Sequence, residues 1–158
     1  MPFNAPENLG LISPDVMRQL SGVEFFQKIL AGDLPAPPVA AVSDQTITHV
    51  ETGKICWKSS PPANFVNPMG GVHGGWAMTV MDSALGCAVH TGLPAGKGYT
   101  TLEAKFNLTR APKVGEVYET IGTLLTLGRR TATSEAKMTD AQGRVVAFGT
   151  TTCLVFDL

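Results

Sequence analysis

N-P-M-G-G-V-H-G-G-W-A-M-T-V-M-D-S-A-L-G-C-A-V-H-T-G, residues 67–92, is the stretch on which the reading of the whole chain turns. Glycines and an Asn-Pro turn signal open it, and a helix of about four to five turns follows, ended by Gly92. Trp76, Met78, Val80, Met81, Leu85, Cys87 and Val89 spread over most of the circumference, which predicts burial on nearly all sides. Gly75, Thr79, Asp82, Ser83, Gly86 and His90 recur at steps of three or four and form one polar or small stripe. That stripe, with the glycine-rich entry, is the expected active site.

Asp82 is the one carboxylate in the segment. A buried charge must be paired or take part in chemistry. Hydrogen bonds to Thr79 or Ser83, or an arginine elsewhere, are the structural alternative. The helix start offers free backbone N–H groups and the positive end of the dipole, and glycine allows close approach to them. Amides that polarise a carbonyl, together with a carboxylate that attacks or activates water, make an acyl-transfer site. Gly74 and Asp82 stand about 12 Å apart along a helix axis, so both cannot serve one reacting group from one chain. Two antiparallel copies across a two-fold axis remove the difficulty, which predicts at least a dimer with shared sites.

The 158 residues suit one domain with a real core. A net charge of −1 gives no basic field for nucleic acid. The three cysteines, Cys56, Cys87 and Cys153, lie far apart in apolar runs and read as reduced core residues of a cytoplasmic protein. Cys87 has no visible electropositive partner that would make it a nucleophile. The N-terminus does not read as a signal peptide, and Asp82 with many glycines argues against a membrane helix.

Residues 1–12 look irregular. Ser13-Pro14 starts a helix whose apolar face, Val16, Leu20, Val23, Phe26, Ile29 and Leu30, runs to Gly32. Leu34 to Pro38 reads as a rigid linker. Residues 39–51 and 54–60 are expected as strands joined at Thr52-Gly53, with Ile55 and Trp57 inward. After Gly92, Leu102, Ala104, Phe106 and Leu108 alternate with polar residues. Strands over 117–127 and 130–139 follow, the latter with Ala132, Ala136 and Met138 inward, and a hairpin at Asp140–Gly143 leads to a last strand over 145–156. That strand, apolar on both faces, is placed centrally. Two strands, a buried helix and four strands in meander order imply an α+β fold, an antiparallel sheet of about six strands wrapped around the helix. Residues 1–38 form an N-terminal helical extension and 39–158 the main domain.

In this order of elements the chain resembles hotdog-fold acyl-CoA thioesterases of the phenylacetate-degradation (PaaI-like) type. The resemblance rests on L-P-A-P-P, N-P-M-G-G-V-H-G-G with Asp eight residues after the first glycine of H-G-G, T-T-L-E, L-G-R-R and D-A-Q-G-R-V-V-A. It implies Asp82 as nucleophile or general base and the Gly74 amide as the group polarising the thioester carbonyl. Asn67 would place water or thioester, His73 would orient the turn, and Thr100, or its neighbour Thr101 if the register slips by one, would assist the carboxylate. Gly75 and Ser83 would line the substrate. Arg129 and Arg130 are the candidates for the coenzyme A phosphates, with Arg110 and Lys113 as others. The resemblance also implies a homodimer at minimum and a homotetramer as the fuller assembly, no cofactor beyond the CoA of the substrate, and no nucleic-acid or membrane partner.

Other readings of the same residues stand beside these. His73 serves equally as a structural histidine and Asn67 as a turn former. No base sits at helical spacing from Ser83 except Thr79 and His90, which argues against a serine nucleophile. No metal-ligand spacing joins His49, His73 or His90 to cysteines or carboxylates. A hotdog hydratase or dehydratase, and a non-catalytic acyl-CoA-binding module, are the competing functions.

Overall fold

The computed structural model describes residues 6–158; the first part of the irregular N-terminal segment lies outside them. A short helix α1 (Pro14–Gln19) starts at Ser13, whose hydroxyl accepts from the Val16 N–H. The expected single helix then breaks at Leu20, which is extended. Ser21 begins a second helix, α2 (Gly22–Ala31), because Ser21 and Glu24 form a reciprocal capping box. The S-x-x-E pattern starts a new helix more cheaply than the old one can continue. Gly32, at φ 85°, closes it in the left-handed conformation.

The expected strand over 39–51 is also corrected. Residues 39–42 form a single helical turn, α3 (Val39–Val42), and β1 (Gln45–Glu51) starts only after it. Two prolines before Val39 pre-set the turn. β2 (Lys54–Ser59) returns antiparallel, with Ile55 and Trp57 fully or almost fully buried. The long helix α4 (Gly74–Thr91) has the expected extent. β3 (Lys97–Leu108), β4 (Tyr118–Leu127), β5 (Thr131–Thr139) and β6 (Val145–Asp157) complete a six-stranded antiparallel sheet of order β1-β2-β4-β5-β6-β3.

β6 lies inside the sheet as expected, but the last four strands are not a simple meander. β3 pairs with β6 alone and forms one edge. This matters for the site, because β3 borders Asp82 and leaves one row of backbone groups unpaired. A register shift between Thr101 and Glu103 interrupts its alternation. Leu102, expected inward, is consequently 59% exposed.

α4 lies on the inner face of the sheet in close contact with it. Trp76, Ala77, Val80, Met81, Ala84, Leu85, Ala88 and Val89 are fully buried. Trp76 donates its indole N–H to the Ser43 carbonyl at 2.8 Å, and Ser134 donates to the Leu85 carbonyl at 2.7 Å. Gly122 on β4 is what lets the helix sit so low: a Cβ there would fall 2.1 Å from the Ala84 carbonyl oxygen. At the far end Gly22 brings α2 against the backbone of His90.

Candidate functional site

The polar stripe of α4 divides in two. Gly86 and His90 are covered, the first by Tyr99 and the second by Phe25, Phe26 and Tyr99, whose rings lie 5.3 to 5.5 Å from the imidazole. They are therefore not part of an open site, contrary to expectation. Gly75, Thr79, Asp82 and Ser83 stay at least partly accessible.

Burial holds the His90 imidazole neutral, lowering its pKa from the ordinary 6.5 to about 4. The unfolded chain then binds the proton more readily, so this group's contribution to stability is complete above pH 6.5 and is lost as pH falls toward 4. Urea unfolding at pH 4.5 should give a stability lower than at pH 7 by about 2 to 3 kcal/mol from this group. In His90→Leu that part of the pH dependence should vanish.

Asp82 is the larger correction. It is exposed in the single chain, not sunk among apolar side chains. Among the described residues it has no ion pair, and its one side-chain hydrogen bond comes from Thr101, Oγ1 to Oδ1 at 3.3 Å. Thr101, not Thr100, is thus the strand hydroxyl that meets the carboxylate. Successive strand residues face opposite sides of a sheet, and Tyr99 and Thr101 share the side of the helix. The signal that finds Thr101 in sequence is this alternation, counted from Tyr99.

The helix entry is built by Asn67 and His73. Asn67 Oδ1 accepts from the N–H groups of Met69 at 2.9 Å and Gly71 at 3.2 Å, closing the glycine turn. Its amide oxygen is spent on the loop; among the described residues its Nδ2 has no partner. His73 caps α4, its Nδ1 accepting from Gly75 N–H at 2.9 Å, which leaves the ring proton on Nε2. Gly75 N–H is thereby consumed. The Gly74 N–H makes no hydrogen bond among the described residues and stands at the positive end of the dipole. A Cβ at Gly74 would come within 2.8 Å of Leu108 Cδ1.

Ser83 does not offer its hydroxyl to a ligand. It donates to Thr79 O at 3.1 Å and accepts from Gln45 Nε2 at 3.1 Å. Thr79 in turn donates to Gly75 O at 2.9 Å. A strand running from residue 39 hides Gln45 in its middle, and the sequence then gives no signal for it. It is 1% exposed, and its Oε1 has no partner among the described residues. Placing the strand start at residue 45 would have made Gln45 and Ile47 an inward pair, and a glutamine there conspicuous.

The Cys87 thiol is pushed up to about 12, chiefly by burial and only partly offset by a hydrogen bond with Tyr99. This is the opposite of what a nucleophile needs. No group of three or more His, Cys, Asp or Glu suited to a metal occurs among the described residues. No helix among them is long and apolar enough to cross a membrane.

Arg129 and Arg130 occupy the β4–β5 turn. Thr131, next in sequence, pairs with Leu154, which pairs with Thr100 on its other side. The arginines thus stand at the same end of the sheet as Thr101. Lys113 is engaged with Glu116 at 3.2 Å. Arg110 lines a groove of about 740 Å³ with Ile121, Thr123, Glu135, Lys137 and Phe148. That groove lies on the sheet face turned away from α4, so it is not the cleft of Asp82.

The model of the thioesterase superfamily matches residues 69–147. A phenylacetic acid degradation-related protein of Ralstonia eutropha JMP134 is 26% identical, with 82% of this chain and 98% of that one covered, at a TM-score of 0.75. The PaaI protein of the E. coli phenylacetic acid degradation operon has a TM-score of 0.74 at 14% identity, covering 85% of this chain and 94% of that one. A hypothetical thioesterase protein of Streptococcus pneumoniae TIGR4, solved with coenzyme A, has a TM-score of 0.69 at 24% identity, covering 83% and 97%. Among curated proteins none matches the sequence.

Proposed function

The chain belongs to the thioesterase superfamily and is a hotdog-fold acyl-CoA thioesterase, and we propose that Asp82 drives the hydrolysis in a site shared between two subunits. Asp82 attacks the thioester carbonyl or takes a proton from the attacking water. The Gly74 N–H of the other subunit stabilises the oxyanion, and the thiolate of CoA leaves. Thr101 orients the carboxylate from β3. His73 and Asn67 hold the entry loop so that the Gly74 amide stays free, and Asn67 Nδ2 is available to water or thioester. Gly75 and Ser83 contribute the floor of the site through backbone and shape, since their polar groups are engaged within the chain.

The observation that carries this reading is a free amide and an accessible, unpaired carboxylate on one helix, about 12 Å apart along the axis. Neither is complete alone. The open edge of β3 beside Asp82, with Leu102 59% and Met78 40% exposed, supports pairing with a second copy. A homodimer is the minimum assembly and a homotetramer the fuller one, for which Phe148, 44% exposed on the outer face, supplies apolar surface. Arg129 and Arg130 take the CoA phosphates; their place at the Thr101 end of the sheet supports them over Arg110 and Lys113.

Mixed assemblies test the sharing. Asp82→Ala and Gly74→Pro subunits, each inactive alone, should regain activity on mixing, because one of the two sites in a mixed dimer receives both intact groups. Thiol release from a panel of acyl-CoAs reads the result. Mixed dimers that form, as shown by tagged pull-down, and stay inactive overturn the shared site. Arg129→Ala with Arg130→Ala should raise KM roughly tenfold or more with a smaller change in kcat, and lose the benefit of low salt. An unchanged KM would remove these arginines from phosphate binding.

A further inference from the structure

The N-terminal segment roofs a second cavity that the hydrolytic chemistry does not use. It measures about 260 Å³ and lies between the end of α2, the linker before α3, and the β1–β2 pair. Ile29, Leu34, Ala36, Ala40, Ile47 and Trp57 give it a largely apolar wall. Residues 6–8 cross above it. They are tied down by a short bridge in which Ala36 N–H donates to Asn8 O at 2.8 Å and Gly10 N–H donates to Ala36 O at 3.0 Å.

Gln45 belongs to both places. It lines this cavity, and its Nε2 donates to Ser83, the residue after Asp82. The wall between cavity and catalytic stripe therefore includes one glutamine side chain. That side chain is poorly anchored for a buried amide. Among the described residues it makes a single side-chain hydrogen bond, at 3.1 Å, while its Oε1 is buried without a partner. The Trp57 indole N–H, on the same inner face of the neighbouring strand, is also buried without one among these residues. Buried polar groups are ordinarily satisfied, so two open ones beside one cavity, counted among the described residues, mark a loosely tied wall in which Gln45 moves at little cost.

Resting on the thioesterase reading, we infer that this cavity receives the distal end of the substrate's acyl chain, an alkyl tail of medium length. Gln45 is the gate that the tail displaces. The thioester stays at Asp82, and the tail runs over the Thr79–Ser83 stripe and under the N-terminal segment. Swinging Gln45 aside gives up one hydrogen bond, and its Oε1 loses none, since it has no partner among the described residues. The aliphatic lining favours an alkyl tail, and Glu7 at the wall disfavours one that ends in a carboxylate. The volume falls just short of the roughly 300 Å³ at which whole-ligand sites begin, which fits a tail better than an entire substrate.

Ala40, 1% exposed, is the position from which to fill the cavity. In Ala40→Phe, kcat/KM for octanoyl- and decanoyl-CoA should fall roughly tenfold or more, with acetyl- and butyryl-CoA changed by less than about twofold. Leu34→Phe, at the half-buried rim, serves if Ala40→Phe does not fold. Binding is read separately with 10-bromodecanoate, whose bromine quenches nearby indole fluorescence. Quenching should occur in the unaltered protein and be lost in Trp57→Phe, which retains Trp76, and in the filled variant. Equal loss at every chain length in a folded variant, or quenching that survives Trp57→Phe, overturns the proposal. If no acyl-CoA of any length releases thiol, the hydrolytic reading fails, and the quenching still decides whether the cavity takes a tail.

Discussion

Asp82→Asn should lower kcat/KM for acyl-CoA hydrolysis roughly a thousandfold, the scale of losing a general base or nucleophile. The asparagine keeps the shape and can still accept from Thr101, but it neither takes a proton nor attacks a carbonyl. The melting temperature should stay within about 2 °C, because Asp82 is exposed and held by one 3.3 Å hydrogen bond. That separation of activity from stability is the diagnostic. Thiol release monitored beside thermal unfolding checks it, and a loss of activity below tenfold would take Asp82 out of the chemistry. Thr101→Val should cost less, about tenfold, since it orients the carboxylate without replacing it.

Gly122→Ala should damage the fold far more than its single added methyl suggests. The added methyl would stand 2.1 Å from the Ala84 carbonyl oxygen and 3.2 Å from the Ala88 methyl. Both belong to the helix backbone or its fully buried face, so neither neighbour can rotate away. Either α4 lifts from the sheet or β4 bends, at a cost of about 3 kcal/mol or more. For a chain of this size that corresponds to a melting temperature lower by about 10 °C. The same displacement carries Asp82 away from Thr101, so activity should fall in the fraction that remains folded. A variant that melts within about 2 °C of the unaltered protein would show that α4 rests on the sheet less tightly than these distances require.

Much of this site was legible because its parts are local. Asp82 within an apolar helix, Gly74 at its start and the separation of the two are written in one continuous segment, and the fold places them where that segment says. The exposure of Asp82 was not legible. Helical periodicity tells which residues are apolar, but which side of a helix is left uncovered depends on where the sheet curls. The position of β3 is a non-local fact of the same kind: strand patterns give strands, and pairing with β6 across the intervening strands leaves no mark in them. Thr101 against Thr100 turned on a phase of one residue beside a bulge. The break at Leu20–Ser21 has a local signature, Ser21 and Glu24 spelling a helix start, but it is masked by an apolar period that continues through them.

The three cysteines have a practical bearing on an enzyme whose product is a thiol. Cys56, Cys87 and Cys153 are all buried and unbridged, and burial raises each above its ordinary pKa. Thiolates, not thiols, exchange with disulfides. Released CoA, or its oxidised dimer, therefore finds no partner on the folded protein with which to form a mixed disulfide. Colorimetric thiol reagents should count product alone until the protein unfolds, and the enzyme should need no reductant to survive its own turnover.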